Sequence, residues 1–122
     1  MDTLNMKQIT GNPRDEAFMA KLVGLINANM KEENFGVAEI MDGMNVSRSL
    51  LHMKIKALAG CSITQFIKTL KMKEAKKCLS EGMNVSEAAY AVGMSDPNYF
   101  TKCFKAEFGI TPSEYIKSRG TE

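Results

Sequence analysis

The sequence predicts an all-α fold of seven helices, arranged as two similar subdomains joined by a long linker helix. Three observations lead to this prediction. Hydrophobic residues recur with the period of about 3.6 that is typical of helices, and no stretch alternates over the length of a strand. Capping residues and glycines mark the ends of the periodic stretches. Residues 47–68 also repeat in residues 96–117, at a constant offset of 49 residues.

The first helix opens at Asn12 and Pro13, a pair that suits the cap and the first turn of a helix. Its apolar side chains recur every four residues and are expected to face the core. These are Phe18, Leu22, Ile26 and Met30. Residues 1–12 carry no periodic pattern, and we predict a flexible N-terminal tail or linker there.

Two shorter helices follow, over 37–44 and 48–59. Glu39 is placed to accept a hydrogen bond from the backbone that precedes the first of them. Asn45 tolerates the left-handed conformation needed for a tight turn, and Ser47 caps the second helix. The inward stripe of that second helix consists of Leu51, Ile55 and Leu58.

The linker helix is predicted over 62–80, from a capping box at Ser62 and Gln65 to a stop at Gly82. Its buried side consists of Ile63, Phe66, Ile67, Leu70 and Leu79. Most of its lysines are expected to face solvent, and they are Lys68, Lys71, Lys73, Lys76 and Lys77.

Asn84 and Glu87 form a capping pair for a helix that stops at Gly93. Asp96, as a cap, and Pro97, as the first helical residue, then open another helix. The aromatic residues expected on its inner side are Phe100, Phe104 and Phe108.

A last helix starts at the TPSE segment, 111–114, and runs to about residue 119. The predicted organisation is therefore the tail, a first subdomain over 13–61, the linker helix over 62–80 and a second subdomain over 81–119.

Upstream of the two copies, residues 37–39 also match residues 85–87, at an offset of 48. Each copy, together with the helix before it, is therefore a short helix, a tight turn at Asn45 or Gly93, and a longer helix. That is the plan of a helix-turn-helix, whose second helix can enter the major groove of DNA. Opposite the inward stripes lie hydrogen-bond donors and small side chains, with no acidic residue. In the first copy these are Arg48, Ser49, His52, Met53 and Lys56, and in the second they are Asn98, Thr101, Lys102 and Lys105.

The charge is concentrated in the middle of the chain. The net charge is only +2, but residues 47–77 carry eight basic side chains and one acidic side chain. A block of this kind is typical either of a solvated helix face or of a surface that binds a polyanion.

The composition excludes several classes of protein. With 122 residues, 44% hydrophobic and 25% charged, the chain suits one ordinary soluble domain or two small ones that share a core. No run approaches the roughly 18–20 apolar residues of a membrane span, and the polar N-terminus carries no secretory signal, so we expect a cytoplasmic location without membrane contact. Three widely spaced cysteines and one histidine do not make a zinc site, and no metal or other cofactor is expected.

Four motifs carry a resemblance to a known family. They are VSEAAYAVGMSDPNYF at 85–100, FKAEFGITPSEY at 104–115, SRSLL at 47–51 and KIKAL at 54–58. Over 35–116 the chain resembles the AraC-type (AraC/XylS) DNA-binding domain, which carries two helix-turn-helix units. With the helix that precedes them, these units are most similar to the C-terminal output domains of two-component or hybrid two-component regulators.

The sequence departs from the family pattern at four positions. Ala88, Asn45 and Met94 are packing or turn variations of the usual residues. Met53 stands where a basic residue is common; its side chain can touch a thymine methyl group but cannot hydrogen-bond a base.

The resemblance implies a transcriptional regulator that binds double-stranded DNA and is not an enzyme. The candidates for base contacts are Ser49, His52, Met53, Asn98, Thr101 and Lys102, and those for phosphate contacts are Arg48, Lys54, Lys56 and Lys105. RNA polymerase, and a receiver or sensor domain in the full-length protein, stay open as further partners. No small-molecule ligand is expected.

Two other classes of function stay open at this point. The basic linker helix could dock an acidic protein partner. An enzyme with a cysteine nucleophile would need a base beside the thiol, and the chain has only His52 to offer. Cys103 follows Lys102 on the second reading helix, and we expect it to be partly exposed.

Overall fold

A computed structural model describes residues 13–120 of the chain. Within this range it contains seven α-helices and no strand, so the all-α prediction is confirmed. The helices are α1 (Pro13–Ala28), α2 (Val37–Met44), α3 (Arg48–Ala59), α4 (Ile63–Ser80), α5 (Val85–Ala91), α6 (Pro97–Phe108) and α7 (Pro112–Gly120). The predicted N-terminal tail and its Asn12 cap lie outside the described residues.

The described residues pack as two compact units. Unit 1 consists of residues 13–29 and 35–67, and unit 2 of residues 30–34 and 68–120. The helix α4 therefore contributes its first turn to unit 1 and its remainder to unit 2. The segment 30–34 precedes α2 in sequence but packs within unit 2. The predicted subdomain boundaries, with α4 as a separate linker, stay a prediction.

The predicted caps form in unit 1. The backbone N–H of Gly36 donates to Oε1 of Glu39 at 2.8 Å, which completes the first turn of α2. At the other end of α2, Asn45 adopts the left-handed conformation with φ 55°. The Ser47 hydroxyl accepts from the Leu50 N–H at 3.1 Å and starts α3. Together these contacts set the tight turn between α2 and α3.

The caps of unit 2 also form as predicted. Asn84 and Glu87 exchange two side chain–backbone hydrogen bonds of 2.8 and 2.9 Å at the start of α5. Asp96 accepts from the backbone N–H two residues further on and opens α6. Thr111 and Glu114 form the capping box of α7. The hydrogen bond that the Thr111 backbone N–H donates to the Glu114 carboxylate lowers the pKa of that carboxyl.

The core of unit 1 contains Leu22 and Ile26 of α1, as predicted, but it differs from the prediction at Phe18 and Met30. Met19 is buried, whereas Phe18 is only half-buried. Because α1 ends at Ala28, Met30 lies beyond the helix and is buried in unit 2. The other core residues of unit 1 include Leu22, Ile26, Ile40, Met44, Leu51, Ile55, Ile63 and Phe66. Leu58, which was predicted to point inward, is half-buried.

The core of unit 2 is built around α6. Phe100 and Phe104 are fully buried, and the Phe104 ring lies 4.7 Å from the Phe108 ring and 6.0 Å from the Tyr115 ring, centroid to centroid. Phe108 itself is half-buried. Cys103 is buried, so the expectation that it is partly exposed was wrong. It lies between Phe100 and Phe104 in sequence, and the buried side of the helix is wide enough to include it.

Candidate nucleic-acid interface

In unit 1 the candidate interface is the outer face of α3. The buried pair Leu51 and Ile55 fixes the rotation of this helix. Positions one, four and five residues apart on the other side then project together. The exposed residues of this face are Arg48, Ser49, His52, Met53 and Lys56, as predicted. Met53 is 59% exposed, so its side chain is available for contact from outside the domain.

Lys54 differs from the other basic residues of α3. Its ammonium lies 2.7 Å from Oδ1 of Asp15 and 5.6 Å from the centroid of the Phe18 ring. Both partners belong to α1, and the Lys54 side chain is only 32% exposed. The pair neutralises the charge of Lys54 and ties α3 to α1. The phosphate contact that the sequence predicts for Lys54 therefore has a competitor within unit 1.

In unit 2 the candidate interface is the outer face of α6. Asn98, Lys102 and Lys105 are exposed, and Thr101 is half-buried. The backbone N–H of Asn98 donates to the Asp96 carboxylate at 2.9 Å. Because this cap uses the backbone of Asn98, its amide side chain stays exposed at the start of the helix. An amide there carries both a donor and an acceptor for a base edge.

Two exposed residues beside these candidates were not identified from the sequence. Leu50 is 36% exposed on α3, and Tyr99 is 48% exposed on α6 with the Lys68 ammonium 5.9 Å from its ring centroid. Both residues lie outside the inward stripes of their helices. Their position in the helical period could therefore have identified them as exposed. An exposed tyrosine beside Asn98 adds apolar area and a hydroxyl to this end of α6.

The basic residues of α4 do not form one solvated stripe. Lys73, Lys76 and Lys77 are exposed, as expected for most of these lysines, whereas Lys71 is buried and donates to carbonyl groups within unit 2. The Lys76 ammonium lies 4.8 Å from the Phe108 centroid and 5.8 Å from the Tyr115 centroid. Three of the five lysines of this helix, Lys68, Lys71 and Lys76, thus make cation–π contacts or internal hydrogen bonds.

Two of the three cysteines, Cys61 and Cys78, are poorly suited to nucleophilic catalysis. Burial raises the pKa of the Cys61 thiol despite the nearby Lys56, and it raises the pKa of Cys78 beside Glu74. The thiolate is the reactive form, so these shifts reduce reactivity near neutral pH. Among residues 13–120, no group of three or more His, Cys, Asp or Glu side chains could hold a metal ion. Nor does any helix in this range combine the length and the apolar composition needed to cross a membrane.

The chain is similar in sequence to known regulators. A family model described as a helix-turn-helix domain matches residues 40–118. Histidine kinase P4 of Formosa agariphila is 36% identical over 109 residues, which cover 88% of this chain and 8% of that protein. Several transcriptional regulators match at 28–34% identity, and the chain spans 26–36% of their lengths.

Solved structures share the fold. An AraC-type transcriptional regulator from Chromobacterium violaceum has a TM-score of 0.79 at 24% identity, over 88% of this chain and 96% of that one. The DNA-binding domain of AdpA, solved in complex with a target DNA, has a TM-score of 0.76 at 21% identity, over 84% and 92%. At these identities the likeness shows the fold.

Proposed function

The chain belongs to the AraC-type helix-turn-helix family of DNA-binding transcriptional regulator domains, and we propose that it binds duplex DNA sequence-specifically as the output domain of a larger signalling regulator. The observation that carries this proposal is the outer face of each second helix. On α3 and on α6, the face opposite the buried stripe bears donors and small side chains without a carboxylate. Such a face is complementary to the phosphates and base edges of a groove.

We assign the side chains two roles. Side chains near the middle of each exposed face would read bases, and the flanking cations would bind phosphates, which position the protein without reading sequence. The residues proposed for bases are Ser49, His52, Met53, Asn98, Thr101 and Lys102. Those proposed for phosphates are Arg48, Lys56 and Lys105. Lys54, held by Asp15, is assigned to the support of α3.

The larger regulator is supported by the relatives. The chain matches a small part of a histidine kinase and about a third of several transcriptional regulators. A receiver or sensor domain elsewhere in the full-length protein, contact with RNA polymerase and action in the cytoplasm are parts of the same proposal. The family itself is one of regulators and not of enzymes.

Selection of bound sites from a random duplex pool tests the function. We expect one sequence to be enriched and to bind several-hundredfold more tightly than a scrambled duplex. The logarithm of the affinity should fall with the logarithm of salt, by about 0.9 per phosphate neutralised. Equal affinity for all duplexes, together with an affinity that does not depend on salt, would contradict the proposal that the chain binds DNA sequence-specifically. An acidic polypeptide that binds under the same conditions would then favour the protein-interaction alternative.

Asn98 and Lys105 separate base reading from positioning. The Asn98→Ala change should cost about 1–3 kcal/mol on the selected site and relax the preference at one base pair. Lys105→Ala should weaken all sequences alike and reduce the salt slope by about one. Both variants are measured on selected and scrambled duplexes. An unchanged specificity ratio for Asn98→Ala, with an altered ratio for Lys105→Ala, would reverse the two roles.

Lys54 and Lys56 make a second matched pair, two residues apart on α3. Lys56 is exposed, whereas Asp15 already neutralises Lys54. We expect Lys56→Ala to reduce the salt slope by about one, and Lys54→Ala to reduce it by much less. Binding isotherms over a series of salt concentrations measure both slopes. Equal reductions would show that DNA takes Lys54 from Asp15.

A further inference from the structure

The turn between α5 and α6 in unit 2 is held by a buried lysine. Lys71 is 7% exposed, and its ammonium donates to the carbonyl of Val92 at 2.8 Å and to that of Met30 at 3.5 Å. Val92 follows the last residue of α5, where the carbonyl groups have no partner within the helix. A cation is favoured at this end of a helix dipole. Lys71 thus joins the end of α5 to the segment 30–34.

A carboxylate of the same segment holds the other side of the turn. Glu33 Oε2 accepts from the Ser95 hydroxyl at 2.9 Å and from the Ser95 N–H at 3.4 Å. Ser95 directly precedes Asp96, the N-terminal cap of α6. Glu33 therefore contacts the residue two positions before α6, the helix that carries the proposed base contacts of unit 2.

The two charges support each other. Burial lowers the pKa of Lys71, and the nearby Glu33 carboxylate opposes that shift. Gly93 lies between Val92 and Ser95 in sequence and has φ 73°, and a β-carbon there would stand 2.9 Å from the Met30 carbonyl oxygen. Three residues of this turn are therefore each held by a different contact. Val92 accepts from the Lys71 ammonium, Gly93 packs against the backbone of Met30, and Ser95 donates to the Glu33 carboxylate.

We propose that Glu33, Lys71 and Ser95 are positioning residues, which hold the turn before α6 so that the helix presents its outer face to DNA in one orientation. This inference rests on the proposed function. A reading helix discriminates between bases only if its side chains reach fixed positions, because a small displacement breaks bidentate hydrogen bonds. Loss of the Glu33–Ser95 contact therefore reduces discrimination at the base pairs read by α6. It leaves the base pairs read by α3 unchanged.

The test uses the full chain with Glu33→Ala and Ser95→Ala, two changes at exposed positions. Each should lower the ratio of affinity for the selected duplex over a scrambled one by about five- to tenfold, the scale of a modest coupling between sites. Combining them should lower it no further than Glu33→Ala alone, because Glu33→Ala already removes both hydrogen bonds, whereas Ser95→Ala keeps the backbone N–H donor at position 95. A repeated selection with Glu33→Ala should recover the base pairs read by α3 and lose the preference at those read by α6. The thermal midpoint and the salt slope should stay close to those of the wild type.

Two variants serve as controls. Glu32→Ala removes the same charge from the neighbouring position and should keep the wild-type ratio. Glu33→Gln keeps an acceptor oxygen and should restore most of the ratio lost in Glu33→Ala. The inference is overturned if Glu33→Ala keeps the ratio, if the preference falls equally across the motif, or if Glu33→Gln behaves like Glu33→Ala. A wild-type chain that prefers no sequence contradicts the proposed function itself, whereas wild-type preference retained in Glu33→Ala contradicts only this inference.

Discussion

Replacement of Phe104 by alanine is expected to lower the free energy of unfolding by about 3–5 kcal/mol, enough to unfold unit 2 of so small a domain. Phe104 is fully buried, and its ring packs near those of Phe100, Phe108 and Tyr115. Truncation removes this apolar area from the core and leaves a cavity that the surrounding helices fill only in part. Urea denaturation followed by circular dichroism measures the change.

The half-buried Phe108 on the same helix gives the matched control. Phe108→Ala should cost clearly less than Phe104→Ala, because part of its ring already faces solvent and no closed cavity results. A Phe104→Ala chain with wild-type stability would show that α6 is rotated relative to the orientation described. The residues assigned to its outer face would then be wrong as well.

Gly93→Ala is expected to cost about 2–5 kcal/mol, from two effects that add. The left-handed backbone, with φ 73°, costs a residue with a β-carbon about 1–2 kcal/mol. The β-carbon would also stand 2.9 Å from the Met30 oxygen and 3.0 Å from the Lys31 oxygen. Both are backbone atoms, so relief requires the segment 30–34 to move, at a cost like that of overpacking a core.

Gly60 isolates the steric part of this effect. It has almost the same backbone angle, φ 74°, but no atom lies within 4 Å of the position of its β-carbon. Gly60→Ala should therefore cost only the conformational 1–2 kcal/mol. Thermal or urea unfolding of both variants gives the difference. Equal costs at the two glycines would contradict the close approach of the segment 30–34 to the turn.

The candidate site could be predicted in large part because it lies on two helices with clear inner sides. Leu51, Ile55, Phe100 and Phe104 fix the rotation of α3 and α6, and the exposed faces follow from the helical period. The pairing of Lys54 with Asp15 could not be predicted in this way. The two residues are 39 positions apart, and nothing local relates them.

The sequence by itself determined the seven helices of the described residues, the caps of α2 to α7 and the tight turns. These depend on contacts over three or four residues, such as those of Ser47, Asn84 and Thr111 with the backbone that follows. Tertiary structure alone decided the burial of Met19 in place of Phe18, the burial of Cys103 and the burial of Lys71. A lysine in a basic helix is expected in water, and only the carbonyls of Met30 and Val92, 41 and 21 residues away, replace that water. Burial of a charge requires partners that the fold brings together from distant parts of the chain, and a local pattern does not record them.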